Sequence, residues 1–359
     1  MKPFLGSLLL TLSLLQAQEL RDYALSKGFE SIPKDIKLLK QKVENSNNPL
    51  TKAKILLGKK LFFDKNLSFD RTISCASCHE LEKGGEDSLP TAVGYKDRVN
   101  PKHLNTPTVL NTAYSKHLFW DARASSLAQQ AAGPMQASFE MNSTPQLVVQ
   151  RVKENQEYAS LFKQAFHSKE SISFKNITFA IEAYEKTLVT RGAFDEYLDG
   201  DENALSQEAK EGLNLFIVVG CKACHFGPGV GGQRVQKFPL RDYNSIISIT
   251  SKFNDTTHTR EIDEMAFNIE PYHPFPFENK GGFMGKDLKK RFRVPILKNI
   301  SQTPPYFHNG AIKDLKEAIK IMAKYQVGIN LTQKQTESLE AFLKSLDGEL
   351  VPYKLDDLE

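Results

Sequence analysis

The sequence has four cysteines, one tryptophan and only a slight excess of positive charge, and each shortage excludes something. With so few thiols, the chain cannot be one of the small secreted scaffolds held together by a dense disulfide framework. The apolar run from Phe4 to Leu15 falls short of the about 20 residues that a membrane-spanning helix needs, and no later stretch reaches that length. No membrane span is therefore expected. Forty-seven basic residues against 43 acidic ones leave a formal charge of +4, spread too thinly over 359 residues to suggest a nucleic-acid partner. What remains is an ordinary globular composition, 40% hydrophobic and 25% charged, long enough for two or three packed domains.

Lys2, the apolar run and the small Ala17, followed by the polar Gln18-Glu19, read as a secretory signal over residues 1–17. The mature chain is expected in a bacterial periplasm, where paired cysteines are normally oxidised. These cysteines are not spaced as disulfide partners. They fall as Cys75-Ala76-Ser77-Cys78-His79 and Cys221-Lys222-Ala223-Cys224-His225, two copies of C-x-x-C-H with no cysteine left over. Two intervening residues let both thiols reach the vinyl groups of one porphyrin, and the next residue brings an imidazole to the iron, so the motif binds a c-type haem covalently. A redox dithiol would need a βαβ context that is missing here, and a zinc site would leave His79 and His225 unexplained.

An internal repeat accompanies the motifs. Gly58-Lys59-Lys60-Leu61-Phe62 precedes the first and Gly212-Leu213-Asn214-Leu215-Phe216 the second, each in an amphipathic helical pattern. A glycine there allows close approach of another backbone. The pattern predicts an all-α fold of two cytochrome c-like helical domains, each with one haem and long loops. Residues 18–190 would form the first domain and 191–359 the second, divided where Asp, Gly and Asn gather after Thr190. Further helices are expected after the N-cap Thr144 with Pro145, over 176–189, and after the capping box Thr332 to Gln335. Residues 245–290 read as long loops with room for short strands, and the basic run Lys286 to Arg293 as a solvated charged loop rather than a docking patch.

What lies opposite each proximal histidine decides between a carrier and an enzyme. Leu315, Ala318, Ile319 and Met322 follow helical spacing on one face, so Met322 is available as a sixth ligand of the second haem, where a thioether raises the potential. A methionine on such a face is more often plain core. Spacing alone leaves both roles open.

Trp120-Asp121-Ala122-Arg123-Ala124, Gln130-Ala131-Ala132-Gly133-Pro134, Glu140-Met141 and Pro305-Tyr306-Phe307-His308-Asn309-Gly310, together with both haem motifs and Lys320-Ile321-Met322, resemble the bacterial di-haem cytochrome c peroxidases. The resemblance runs from about Gly58 to Leu346. It implies reduction of hydrogen peroxide with electrons from a small c-type cytochrome or similar donor, and by analogy a homodimer. The haem held by Cys75, Cys78 and His79 would be the peroxidatic centre, and the haem of Cys221, Cys224, His225 and Met322 the electron-entry centre. Glu140 and Gln130 match the family's distal pocket, and Trp120 the tryptophan between the haems. Asn105, Thr303 and Pro305 match ligands of a calcium ion, which accepts such oxygen donors. Without the resemblance, Glu140 reads as a solvated carboxylate, Gln130 as a polar helix residue and Trp120 as core.

The sequence departs from the family in two places. Many relatives carry a histidine that caps the peroxidatic iron where this chain has Ala92-Val93-Gly94-Tyr95, so Tyr95 or His103 could ligate there or the site could stay open. An enzyme with less need of prior reduction is expected. Ala122 stands where relatives usually have glycine. Two other functions are weighed against the peroxidase: a non-catalytic di-haem electron carrier, and a di-haem oxidase acting on a protein substrate. Relatives of the latter kind place tyrosine where Met322 stands, which argues against it.

Overall fold

The computed structural model describes residues 19–168, 171–240 and 274–358, so the signal expected over 1–17 and most of the loop segment expected over 245–290 lie outside the described residues. The helices in chain order are α1 (19–26), α2 (Ile36–Val43), α3 (Lys52–Phe62), α4 (Leu127–Gln136), α5 (Pro145–Glu154), α6 (Gln156–Phe166), α7 (Phe174–Glu185), α8 (Ala193–Leu198), α9 (Gln207–Val218), α10 (Leu315–Met322) and α11 (Gln333–Lys344). Among the described residues, none is long and apolar enough to cross a membrane.

Local chemistry sets several starts. The Thr144 hydroxyl accepts the Leu147 amide ahead of Pro145, and Thr332 and Gln335 form the reciprocal box expected of them. The helix expected over 176–189 begins earlier, because Ser173 caps it through the Asn176 amide, and it ends at Glu185.

Two helix crossings carry the architecture. A Cβ on Gly58 would lie 1.9 Å from the carbonyl oxygen of Ala180, and one on Gly212 would lie 1.9 Å from that of Ser338. The repeated glycines thus let α3 cross α7 and α9 cross α11 at backbone contact, as their spacing ahead of the two motifs suggested. Each crossing centres a separate apolar core. One gathers Leu57, Leu61, Phe62, Ile177 and Ile181; the other gathers Leu213, Phe216, Leu339 and Phe342. The chain ends exchange sides: Ala24 and Phe29 pack in the second core, whereas Tyr353 and Leu355 lie against the first.

The fold is helical but not purely so. Strand β1 (Thr190–Gly192) pairs antiparallel with β4 (Gly348–Leu350), and β2 (Val235–Lys237) with β3 (Arg291–Arg293). These three-residue strands arise where segments far apart in sequence meet, so no alternating pattern announces them. A buried polar chain fastens the first pair: the Asn111 Nδ2 donates to Thr190 Oγ1 at 2.9 Å, and Asn299 Nδ2 donates to the Gly348 carbonyl at 2.8 Å.

Candidate functional site: two matched haem motifs

The two C-x-x-C-H segments fold alike. Each forms a single 3-10 turn, Cys75–Ser77 and Cys221–Ala223, and each histidine amide donates back to the first cysteine's carbonyl, at 3.0 Å for His79 and 3.1 Å for His225. The imidazoles are fixed by equivalent bonds. His79 Nδ1 lies 3.1 Å from the Gly85 carbonyl, and His225 Nδ1 lies 3.3 Å from the Val230 carbonyl. A carbonyl only accepts, so Nδ1 carries the proton and Nε2 keeps its lone pair for a metal. Burial drives both rings toward the neutral form and takes His225 down to about 4.

All four cysteines are free thiols. Burial, helped by the fields of Asp87 and Glu140, pushes Cys78 up to about 12, and burial pushes Cys221 up to about 12. These surroundings favour the neutral thiol over the thiolate that disulfide exchange needs. Among the described residues, no group of three or more His, Cys, Asp or Glu could hold a metal ion. Paired neutral thiols beside an imidazole with a free Nε2 are the donor set that a covalently attached haem takes, so the residues present fit that group.

Around the first motif, the loop that departs from the family folds back on itself. Gly94 N–H donates to the Arg98 carbonyl, and Tyr95 N–H donates to the Glu140 carbonyl at 2.8 Å. A Cβ on Gly94 would lie 2.3 Å from the Phe139 carbonyl oxygen, so the loop is pressed against the Glu140 turn. The Tyr95 ring is buried edge-on to Phe69, with centroids 5.8 Å apart, and Lys96 and Arg98 flank its face. His103 sits in the left-handed region at the far end of the same excursion. Burial raises the Glu140 carboxyl above the usual range, opposed by Arg123. Gln130 stands in α4, where Pro134 lacks the N–H that would otherwise bond the Gln130 carbonyl.

Trp120 joins the two halves. Its Nε1 donates to the Asn105 carbonyl at 2.9 Å, its own carbonyl accepts the Arg293 amide at 2.9 Å, and its ring lies 6.4 Å from that of His308. His308 is buried within its turn. It stacks on Phe292 with centroids 4.7 Å apart, its Nε2 meets Asn279 Oδ1 at 2.9 Å, and burial takes it down to about 3. Ala122, at the family's glycine position, has φ +58°, which explains why glycine suits that site.

Asn105 Nδ2 donates to the Leu89 carbonyl at 2.9 Å. Pro90 and Pro305 both close on Gly310, and Thr303 closes on Gly84, so the three expected calcium ligands lie along one seam. Met322 ends α10, whose Leu315, Ala318 and Ile319 share the second core with Phe216 and Val230, both neighbours of His225.

Sequence reasoning missed the Gly85 and Val230 carbonyls that orient the imidazoles; the glycine pairs Gly84-Gly85 and Gly231-Gly232 hint at them. It also read Lys286 to Arg293 as solvated, yet Arg293 is buried.

Two matched motifs, each with an oriented imidazole and beside its own core, define a protein with two c-type haem centres. The family model for di-haem cytochrome c peroxidase matches residues 52–203. The chain is 39% identical to the cytochrome c551 peroxidase of Pseudomonas aeruginosa, across 96% of this chain and 91% of that protein. It is 38% identical to that of Nitrosomonas europaea, across 83% and 81%. A crystallised MauG-like protein associated with microbial copper homeostasis shares the fold at a TM-score of 0.67 and 24% identity, across 89% of this chain and 93% of that one. The chain belongs to the di-haem cytochrome c peroxidase family, oxidoreductases that act on peroxide.

Proposed function

We propose that the protein reduces hydrogen peroxide to two waters in the periplasm, after loss of residues 1–17, with two electrons from a small c-type cytochrome and two protons. The observation that carries this reading is the unequal setting of two equal motifs: a half-buried acid, Glu140, whose field reaches Cys78, and a thioether, Met322, in the helix beside the second core. When bound, the haems supply the iron that takes peroxide and a place to hold each electron.

The chain supplies the rest. Glu140 takes the proton from the peroxide oxygen that is retained and returns it to the one that leaves, a role its raised pKa suits. Gln130 orients the peroxide through its side-chain amide. Trp120, hydrogen-bonded to Asn105 and packed toward His308, lies on the electron path between the two centres. Asn105, Thr303 and Pro305 hold calcium through oxygen donors at that seam. The two cytochrome c-like units are drawn mainly from 18–190 and 191–359, with the segment around Phe29 lent to the second and the tail around Tyr353 to the first, and two chains associate as a dimer by analogy with relatives.

No histidine replaces the family's cap at Tyr95, and Tyr95 itself is engaged with Phe69. The first site would therefore lack a histidine cap at this position and stay accessible in the oxidised protein, Tyr95 being held against Phe69. A six-coordinate bis-histidine first haem in a fully oxidised sample contradicts this.

Peroxide-dependent oxidation of a reduced c-type cytochrome by the purified holoprotein tests the activity. Turnover is expected. Reduction and reoxidation of both haems without peroxide consumption would make the protein an electron carrier.

A further inference from the structure

Buried cations in this protein generally have partners. Lys186 meets Glu182 at 2.8 Å, Lys298 meets Asp195, and Lys54 Nζ donates to Asn48 Oδ1 at 3.0 Å. Arg293 differs. It is 3% exposed, its Nε has no acceptor, and among the described residues no carboxylate pairs with its guanidinium, which lies over the Trp120 ring at 5.8 Å from the centroid. Removing a guanidinium from water without an anion is costly, so an uncompensated one marks a place where an anion belongs. Burial alone takes Arg293 down to about 10.

The backbone fixes where that place is. Arg293 N–H donates to the Trp120 carbonyl, and the next residue, Val294, donates to Arg234 and accepts from Gly232, each at 2.9 Å. Pro295 follows, with its carbonyl against Gly231, where a Cβ would lie 2.0 Å away, and against His225. Arg293 thus lies between Trp120 and the loop that closes the second haem motif. A c-type haem brings two propionate carboxylates that the protein must accommodate, and a guanidinium fork matches a carboxylate bidentately.

We propose that Arg293 is the counter-ion of a propionate of the second haem and, by neutralising it, raises that haem's reduction potential. The inference rests on the assignment of a haem to Cys221–His225. Mass mapping of the haem-bearing peptides, done first, separates the two: a Cys221–Cys224 peptide without haem overturns that assignment, whereas haem on both motifs leaves the propionate question to be decided.

Redox titration of both haems in the native protein, Arg293→Gln and Arg293→Lys decides it. With two haems retained, Arg293→Gln is expected to favour oxidation of the second haem by about tenfold, or about 59 mV for one electron. Arg293→Lys is expected to shift it less, and the first haem should not move. An unmoved second haem in Arg293→Gln, or a shift confined to the first haem, overturns the proposal. Should Arg293→Gln fail to fold, a crystal structure of the unmodified holoprotein still decides: a propionate oxygen about 2.7–3.2 Å from the guanidinium supports it, and a guanidinium paired elsewhere contradicts it.

Discussion

The Tyr95 amide donates to the Glu140 carbonyl at 2.8 Å, so the loop without the family's histidine and the acid proposed to move the peroxide proton are one structural piece. Glu140→Gln keeps this backbone bond and removes the titrating oxygen. Its kcat/KM for peroxide is expected to fall by about 10²–10⁴, the range for loss of a general acid-base group, with haem content and the spectrum unchanged. Steady-state kinetics checks this; an unaffected rate assigns the proton to another group.

The two crossing glycines yield a stability prediction. Gly212→Ala places a methyl 1.9 Å from the Ser338 carbonyl, and Gly58→Ala does the same at Ala180, so each pair of helices must separate. Thermal unfolding is expected to show a loss of about 1–3 kcal/mol for either variant, as overpacking outweighs the about 1 kcal/mol of helix propensity gained. A neutral or stabilising effect would mean the helices cross with slack.

Glu185 gives a pH dependence with a definite sign. It is fully enclosed beside Cys75, Oε2 has no partner, and burial with the field of Glu182 pushes it up to about 8. An unfolded glutamate releases its proton near about 4.3, so between these values the native state holds the extra proton and stability falls as pH rises. Glu185→Gln is expected to flatten that fall, measured as unfolding temperature at pH 5 and pH 8. An equally steep decline in the variant would place its origin elsewhere.

Met322→His tests the second centre. Replacing a thioether by an imidazole lowers haem potential, so the second haem is expected to become harder to reduce and turnover with a cytochrome donor to slow. If its potential stays where it was, Met322 is only a core residue at the end of α10.

Much of the fold was legible because its signals are local. The C-x-x-C-H turns, the glycines at 58 and 212, and the caps at Thr144 and Thr332 depend on residues within a few positions of one another. What escaped depends on distant meetings. The β1 and β4 strands are joined only by folding, the segment around Phe29 crosses into the second core, and Arg293 is buried because Trp120, some 170 residues earlier, receives its backbone. The sequence marks Arg293 only as part of a basic run, which ordinarily faces solvent.

The account depends on one iron remaining accessible while the other is capped by sulfur. Electron paramagnetic resonance of the fully oxidised and half-reduced holoprotein reads both coordination spheres together. The account predicts a high-spin or weakly ligated signal from the first haem in the oxidised sample and a histidine-methionine signature from the second. Two low-spin haems with strong protein ligands on both faces in every redox state would contradict it.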